Sequence, residues 1–361
     1  MQHQQTTASD RSLTIDRRRI ADDTPAYLIA EIGHNHGGSL ERAMAMVDTA
    51  QAAGADAVKF QTRAPREVYA PGDRPGAYDY RSDNPQWMDP VYGRHRELLE
   101  FDAEAWRALF AHCRARGITA FSTPFDHASL ERLAELGVPA VKIASGDATN
   151  LPLIDHAATL GVPLIVSTGG CEQEEVDRVV ELLEGRGAAF ALLQCACIYP
   201  APDDVLNLRV IETYRARYPG VVTGLSTHSP DWAATLAAFT LGGRIFEHHY
   251  TNDRGWKGTD NPFSLIPADL ARLRQACDAV LPALGRPEKS RDPREESYTV
   301  ERRKSLHWRR DLAGGAVVSA ADLIALSPGG GIGPDRLADL VGRRTARPVG
   351  ALAPARPDDL G

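Results

Sequence analysis

The sequence predicts an α/β protein: a (β/α)8 TIM barrel followed by a small β-rich domain. Three observations predict it. Eight short apolar runs alternate with amphipathic segments between residues 27 and 285, charges are scarce inside the runs until their C-terminal ends, and the composition changes after about Leu284. Short runs without polar alternation are what strands buried on both faces look like. Eight strand-then-helix units in roughly 250 residues are what a closed barrel requires. An open doubly wound sheet also alternates strands and helices, but no Gly-rich dinucleotide fingerprint follows the first run.

The runs are YLIAEI (27–32), DAVKFQT (56–62), ITAFST (118–123), PAVKIAS (139–145), PLIVST (163–168), FALLQC (190–195), VVTGLS (221–226) and RIFEHH (244–249). Between them, SLERAMAMVDTAQAAGA and EQEEVDRVVELLEGRG carry helical spacing. Ser39 and Asp102 stand where helices start, and Gly54, Gly117 and Gly161 where they stop. Ahead of the first run, LTIDRRRI predicts a hairpin closing the bottom of the barrel. The connection from Arg63 to about Glu100 is too long for an ordinary βα loop and is rich in aromatic and charged residues. Either it folds over a site, or it is a surface excursion or dimer contact. GRPEKSRDPREES reads as a polar linker, followed by short strands broken by Gly-Gly and Pro-Gly turns. The predicted domains are therefore 1–285, a linker 286–300, and 301–361.

A net charge of −7 argues against nucleic acid or an anionic membrane as partner. No run of 18 apolar residues exists, and MQHQQTTASDRS lacks the apolar core of a signal peptide, so a cytoplasmic protein is expected. Five scattered cysteines make a poor disulfide framework. Cys195 and Cys197, in LLQCACIYP, read as strand core, with a metal or redox pair as the alternative.

In such a barrel, chemistry collects at the C-terminal ends of the strands. The first strand ends in Glu31 before GHNHGG, and the second carries Lys59 and Gln61 on one face. The third ends in Ser122 and Thr123, and the fourth supplies Lys142, Ser145 and Asp147. Ser167 and Thr168 precede Gly169-Gly170, Tyr199 follows the sixth strand, and the last two supply Ser226 with His228 and Glu247 with His249. Two ammonium groups, several hydroxyls and Gly-rich turns suit a ligand bearing phosphate and carboxylate. Two histidines from adjacent strands suit a divalent metal with open positions, and Glu31 with Asp147 suits proton transfer. Each feature alone also has a structural reading, as a salt-bridge partner or a helix cap; their convergence on one rim carries the argument.

The stretches AEIGHNHGGSLERAMAMVDTAQAAGADAVKFQT, FSTPFD, KIASGDATN, STGG, GLSTHSPD and EHHYTNDRGWKGTDNPFSL together resemble the sialic acid synthase family, and the C-terminal segment resembles the antifreeze-like (SAF, β-clip) domain that ends those enzymes. The resemblance implies condensation of phosphoenolpyruvate with an N-acetylated hexose of the N-acetylmannosamine type, releasing phosphate. It implies a homodimer whose SAF domain covers the partner's active site. Position by position it assigns Lys59, Thr123 and Lys142 to the phosphoenolpyruvate carboxylate, and Ser145, Ser167 and Ser226 to its phosphate. It assigns Glu31, Gln61, Tyr199 and Asp260 to the sugar, His228 and His249 to a metal (manganese, with magnesium or cobalt as alternatives), and Asp147 to proton transfer. Strand parity turns His248 away from the barrel axis.

Three positions depart from that pattern: Cys197 stands where Asn or Ser is common, Asn261 where His is, and Ser327 where Arg is. The donor side is thus the better matched. The acceptor stays open among N-acetylmannosamine, its 6-phosphate and a diacetamido-trideoxy hexose. Arg63, Arg66, Arg254 and Lys257 read as solvated charge or as contacts for a sugar phosphate. Two competing functions remain: a phosphoenolpyruvate-dependent synthase of 3-deoxy-ulosonic acids, and a catalytically silent sugar-binding relative.

Overall fold

A computed structural model describes residues 11–361, which divide into two compact units between Gly285 and Arg286. In the first, β1 (Ser12–Ile15) and β2 (Arg18–Ala21) form an antiparallel hairpin. Eight parallel strands follow: β3 (Tyr27–Gly33), β4 (Ala57–Thr62), β5 (Thr119–Pro124), β6 (Val141–Ile143), β7 (Leu164–Ser167), β8 (Phe190–Cys195), β9 (Val222–Thr227) and β10 (Ile245–His249). They pair in sequence order and close by β10 against β3, with His249 opposite Glu31.

All eight strands are buried on both faces, because helices cover the outside and side chains fill the inside. The hairpin closes the N-terminal end as predicted. Ile15 and Ile20 are buried, Asp16 accepts from Thr119 at the start of β5 (3.0 Å), and Arg18 pairs with Asp56 just before β4. Ser39 caps the helix Leu40–Ala52 and Asp102 caps Ala103–Arg116, whose C-cap is Gly117 at φ +71°. A left-handed turn there favours glycine. Among the described residues, no helix is long and apolar enough to cross a membrane.

The segment from Arg63 to Glu100 is an ordered excursion. It contains short helices at Pro65–Val68 and Tyr92–Glu97 and a bridge between Arg81 and Val91. Glu100 pins its far end to the barrel rim: it accepts from the Arg63 backbone (3.2 Å), pairs with the Arg63 guanidinium (3.4 Å) and bonds His34 Nε2 (3.0 Å).

The second unit is built on β11 (Ser305–Trp308) paired antiparallel with β12 (Leu323–Leu326). Leu306, Trp308, Leu312, Val318 and Leu340 lead its separate apolar core. The predicted linker 286–300 is only partly irregular. Asp292 accepts from the Arg294 N–H and its own N–H donates to Glu295, which starts a short turn running into the helix Glu296–Arg302.

Candidate active site

A cavity of about 590 Å³ opens at the C-terminal ends of the strands. Of the predicted site residues, Glu31, Lys59, Gln61, Thr123, Lys142, Ser145, Ser167, Tyr199, Ser226, His228, His249 and Asp260 all line it. Asp147 does not. It sits in the single turn Ser145–Asp147, where it accepts from the Asn150 amide at 3.1 Å. Asp147, expected at the rim, is not among the residues lining the cavity: β6 ends at Ile143, and Asp147 stands on the turn that follows rather than at the strand end. Besides Glu31 and Asp260, the cavity holds the carboxylate of Glu247, two residues before His249 on β10 and hence on the same face.

The centre of the cavity is a buried lattice of two lysines and two glutamates. Glu31 takes Lys59 Nζ at 2.8 Å on one oxygen and the Gln61 amide at 2.8 Å on the other. Lys59 also donates to Thr123 (2.9 Å) and lies 3.6 Å from Glu247. Lys142 donates to Ser167 Oγ (2.6 Å) and to the Ile143 carbonyl (2.9 Å), with Glu247 at 3.9 Å. Ser226 donates to Glu247 (3.3 Å). Buried ammonium groups are costly unless paired, which explains why a lysine tolerates the interior of β6.

Burial raises the pKa of Glu31 despite Lys59 beside it. Burial acts on Glu247 in the same sense, but the ammonium groups of Lys142 and Lys59 outweigh it, and its pKa falls. Two carboxylates in one cavity are thus pushed in opposite directions, the arrangement expected of an acid and an ionised partner. Lys59, facing both glutamates, gains basicity against its burial, whereas burial lowers Lys142.

His228 and His249 face each other with ring centroids 5.3 Å apart. His228 Nδ1 donates to the Ala196 carbonyl (2.8 Å), which leaves its Nε2 lone pair bare. His249 Nδ1 is buried without a hydrogen bond, 3.4 Å from Asp260 Oδ2, and Glu247 Oε2 is also buried and unbonded. Two imidazoles beside orphaned carboxylate oxygen fit a divalent ion completed by substrate oxygens. Among the described residues, no three His, Cys, Asp or Glu side chains form a closed metal cage. His248 turns outward and bonds Thr235, as parity requires.

Tyr199 is half exposed and stacks on His228 at 3.8 Å. The excursion 63–100 supplies one wall, with Tyr69, Trp87, Tyr92 and Arg96 facing the cavity. Arg63 lines it too. It is 4% exposed and stacks on Phe125, so it is not solvated charge, unlike Arg66, Arg254 and Lys257. Arg96 donates to His34 Nδ1 (3.2 Å), so His34 Nε2 carries the proton that Glu100 accepts. No local pattern marks Arg96; parity with His249 marks Glu247.

Cys195 is strand core, but Cys197 is exposed in the cavity, contrary to the strand-core reading for both. Asn261 is fully buried outside the cavity and accepts from Thr251 (2.6 Å), so it shapes the loop. Ser327 belongs to the second unit, where it donates to the Arg302 carbonyl (3.3 Å).

Residues 46–289 match the NeuB family, and residues 303–361 match the SAF domain. The chain is 32% identical to the N-acetylneuraminate-9-phosphate synthase of Homo sapiens, over 91% of this chain and 90% of that one. It is 33% identical to the N,N'-diacetyllegionaminic acid synthase of Legionella pneumophila, over 90% and 92%. Among solved structures, the N-acetylneuraminic acid synthetase of Leptospira borgpetersenii, in complex with citrate, superposes with a TM-score of 0.71 at 30% identity, covering 80% of this chain and 95% of that one.

Proposed function

Because the chain belongs to the NeuB family, we propose that it condenses phosphoenolpyruvate with an N-acetylated hexose and water, giving a nonulosonic acid and inorganic phosphate. The observation that carries this reading is the opposed pair Glu31 and Glu247 around Lys59, set between a two-histidine pair and a hydroxyl-lined pocket.

Lys59 and Thr123 hold the donor carboxylate, while Lys142, Ser145, Ser167 and Ser226 hold its phosphate. A divalent ion at His228 and His249, manganese or else magnesium or cobalt, would supply Lewis-acid polarisation of the acceptor aldehyde. The donor methylene carbon attacks the aldehyde carbon, and Glu31, whose pKa burial raises, relays a proton to the new alkoxide. Positive charge then develops at the enol carbon. Glu247, held ionised by Lys59 and Lys142, stabilises it and takes a proton from the water that adds there. Collapse of the tetrahedral adduct breaks the C–O bond and releases phosphate.

Gln61, Tyr199 and Asp260 orient the acceptor. Arg63 and Arg96 in the wall favour an acceptor carrying an anion, so N-acetylmannosamine 6-phosphate belongs in any screen beside the free sugar and diacetamido hexoses. We extend the proposal to a homodimer; exposed Val317, Val341 and Leu352 on the SAF unit support a buried interface there. Light scattering at the mass of one chain would remove the dimer.

The experiment is phosphate release from phosphoenolpyruvate with manganese across those acceptors and a pentose phosphate. Release dependent on an N-acetylated hexose and on metal supports the synthase. Release with the pentose phosphate alone would move the chain to the 3-deoxy-ulosonic acid synthases. No release from folded, metal-loaded protein would leave a silent sugar-binding relative.

A further inference from the structure

We propose that Cys195 and Cys197 form an oxidisable dithiol, and that peroxide converts it to a disulfide that shuts the phosphate side of the cavity. Cys195 ends β8, and Cys197 lies two residues on, beyond the strand, where both sulfurs come close to Gly169. Both line the cavity. The first is 6% exposed and the second is open to solvent. Their position relative to Gly169 is specific. A Cβ on that glycine would meet Cys197 Sγ at 2.5 Å, Ser145 Oγ at 2.8 Å and Cys195 Sγ at 3.2 Å. Two sulfurs and a hydroxyl therefore crowd one bare patch of backbone, and the Gly169 N–H donates to Ser145 Oγ at 3.0 Å.

The neighbouring Cys195 draws Cys197 down to about 6 against its burial, helped by Ser145 and by the Lys142 ammonium, while Cys195 is held well above the ordinary thiol range. Cys197 is thus pushed toward the thiolate and Cys195 toward the thiol, the pairing of attacking and resolving cysteines. Elsewhere, Cys113 and Cys277 are buried and Cys171 is only partly exposed.

The chemistry balances with a hydroperoxide as oxidant. The Cys197 thiolate attacks the peroxide oxygen, breaks the O–O bond and becomes a sulfenic acid, and the departing oxygen leaves as water or alcohol after taking a proton. Cys195 then loses its proton and attacks the Cys197 sulfur, expelling the sulfenic oxygen as water and forming the S–S bond. Two thiols are oxidised and one peroxide is reduced. The new bond draws the two sulfurs together against Ser145 Oγ and the Gly169 backbone, the patch they already crowd. The consequence for turnover rests on the function proposed above; the sulfur chemistry does not.

The test is hydrogen peroxide titration of the full-length chain, reading the mass of the peptide spanning 195–197 alongside phosphate release. The wild type should lose the mass of two hydrogens from that peptide, lose phosphate release in step, and recover both with dithiothreitol. Cys195→Ser should stop at a sulfenic acid on Cys197 that dimedone traps, and Cys197→Ser should show neither product and retain its own untreated activity. An unmodified peptide, or a disulfide to Cys171, would overturn the dithiol. A complete disulfide with undiminished phosphate release would overturn the closure. A protein inactive before treatment would sink the synthase reading alone, since the mass measurement still decides the dithiol.

Discussion

Single side chains set the chemistry through their neighbours. Glu31 and Glu247 are the same residue type in one cavity, yet Glu31 is governed by burial and Glu247 by two ammonium groups. Glu31→Gln removes the proton donor and should lower turnover at least ~100-fold. Asp147→Asn, outside the cavity, should lower it less than ~10-fold, an order below what a group in proton transfer contributes. Steady-state phosphate release checks both, and equal losses would return Asp147 to the chemistry. Gly169→Ala tests the phosphate side. Its Cβ would press on Cys197 and Ser145, and such overpacking costs about 1–3 kcal/mol. KM for phosphoenolpyruvate should rise roughly tenfold with the acceptor KM little changed. An unaltered KM for phosphoenolpyruvate would place the phosphate elsewhere.

At the scale of elements, the excursion 63–100 works as a wall because Glu100 anchors it. Burial lifts the Glu100 pKa to about 7 despite Arg63. His34, kept neutral by burial, donates to it rather than pairing as a cation. The sign of the linkage follows: between the ordinary carboxylate range and pH 7 the folded protein keeps a proton that the unfolded chain has released. Stability therefore falls as pH rises through that window, by up to roughly 3 kcal/mol. Glu100→Gln should flatten this dependence, seen as a smaller difference in Tm between about pH 5 and pH 8 than in the wild type. An equal difference would mean that Arg63 keeps the carboxylate ionised throughout.

For the whole molecule, a large barrel core and a small second core make two folding units of unequal strength. The second unit rests on one two-stranded pair, isolated bridges and buried ion pairs such as Asp359 with Arg347 at 2.7 Å. Units of this size are marginal alone. Scanning calorimetry should resolve two transitions, with Trp308→Ala lowering the earlier one and leaving the later in place. A single transition shifted as a whole would mean that the units unfold together.

Much of the barrel was legible because buried parallel strands leave a local signature: the run FALLQC coincides with β8, and ITAFST falls one residue early of β5. Most rim residues were legible for the same reason, since strand parity and strand ends are local properties that place Lys59 with Gln61 and Ser226 with His228. Where the chain leaves regular structure, parity fails. Asp147, expected at the rim, stands on the turn Ser145–Asp147 outside the cavity lining, and Cys197, read as strand core, lies beyond the end of β8 and is exposed. Only the closed barrel decided which carboxylates meet: β10 pairs with β3, strands more than two hundred positions apart, and sets Glu247 and Glu31 around Lys59. The wall formed by Arg63 and Arg96 was likewise a tertiary decision, because no periodicity records where an irregular segment of that length folds back. Local sequence determined the elements and the side each residue faces. Long-range closure determined the partners, and through desolvation and nearby charge it determined the protonation each group can hold.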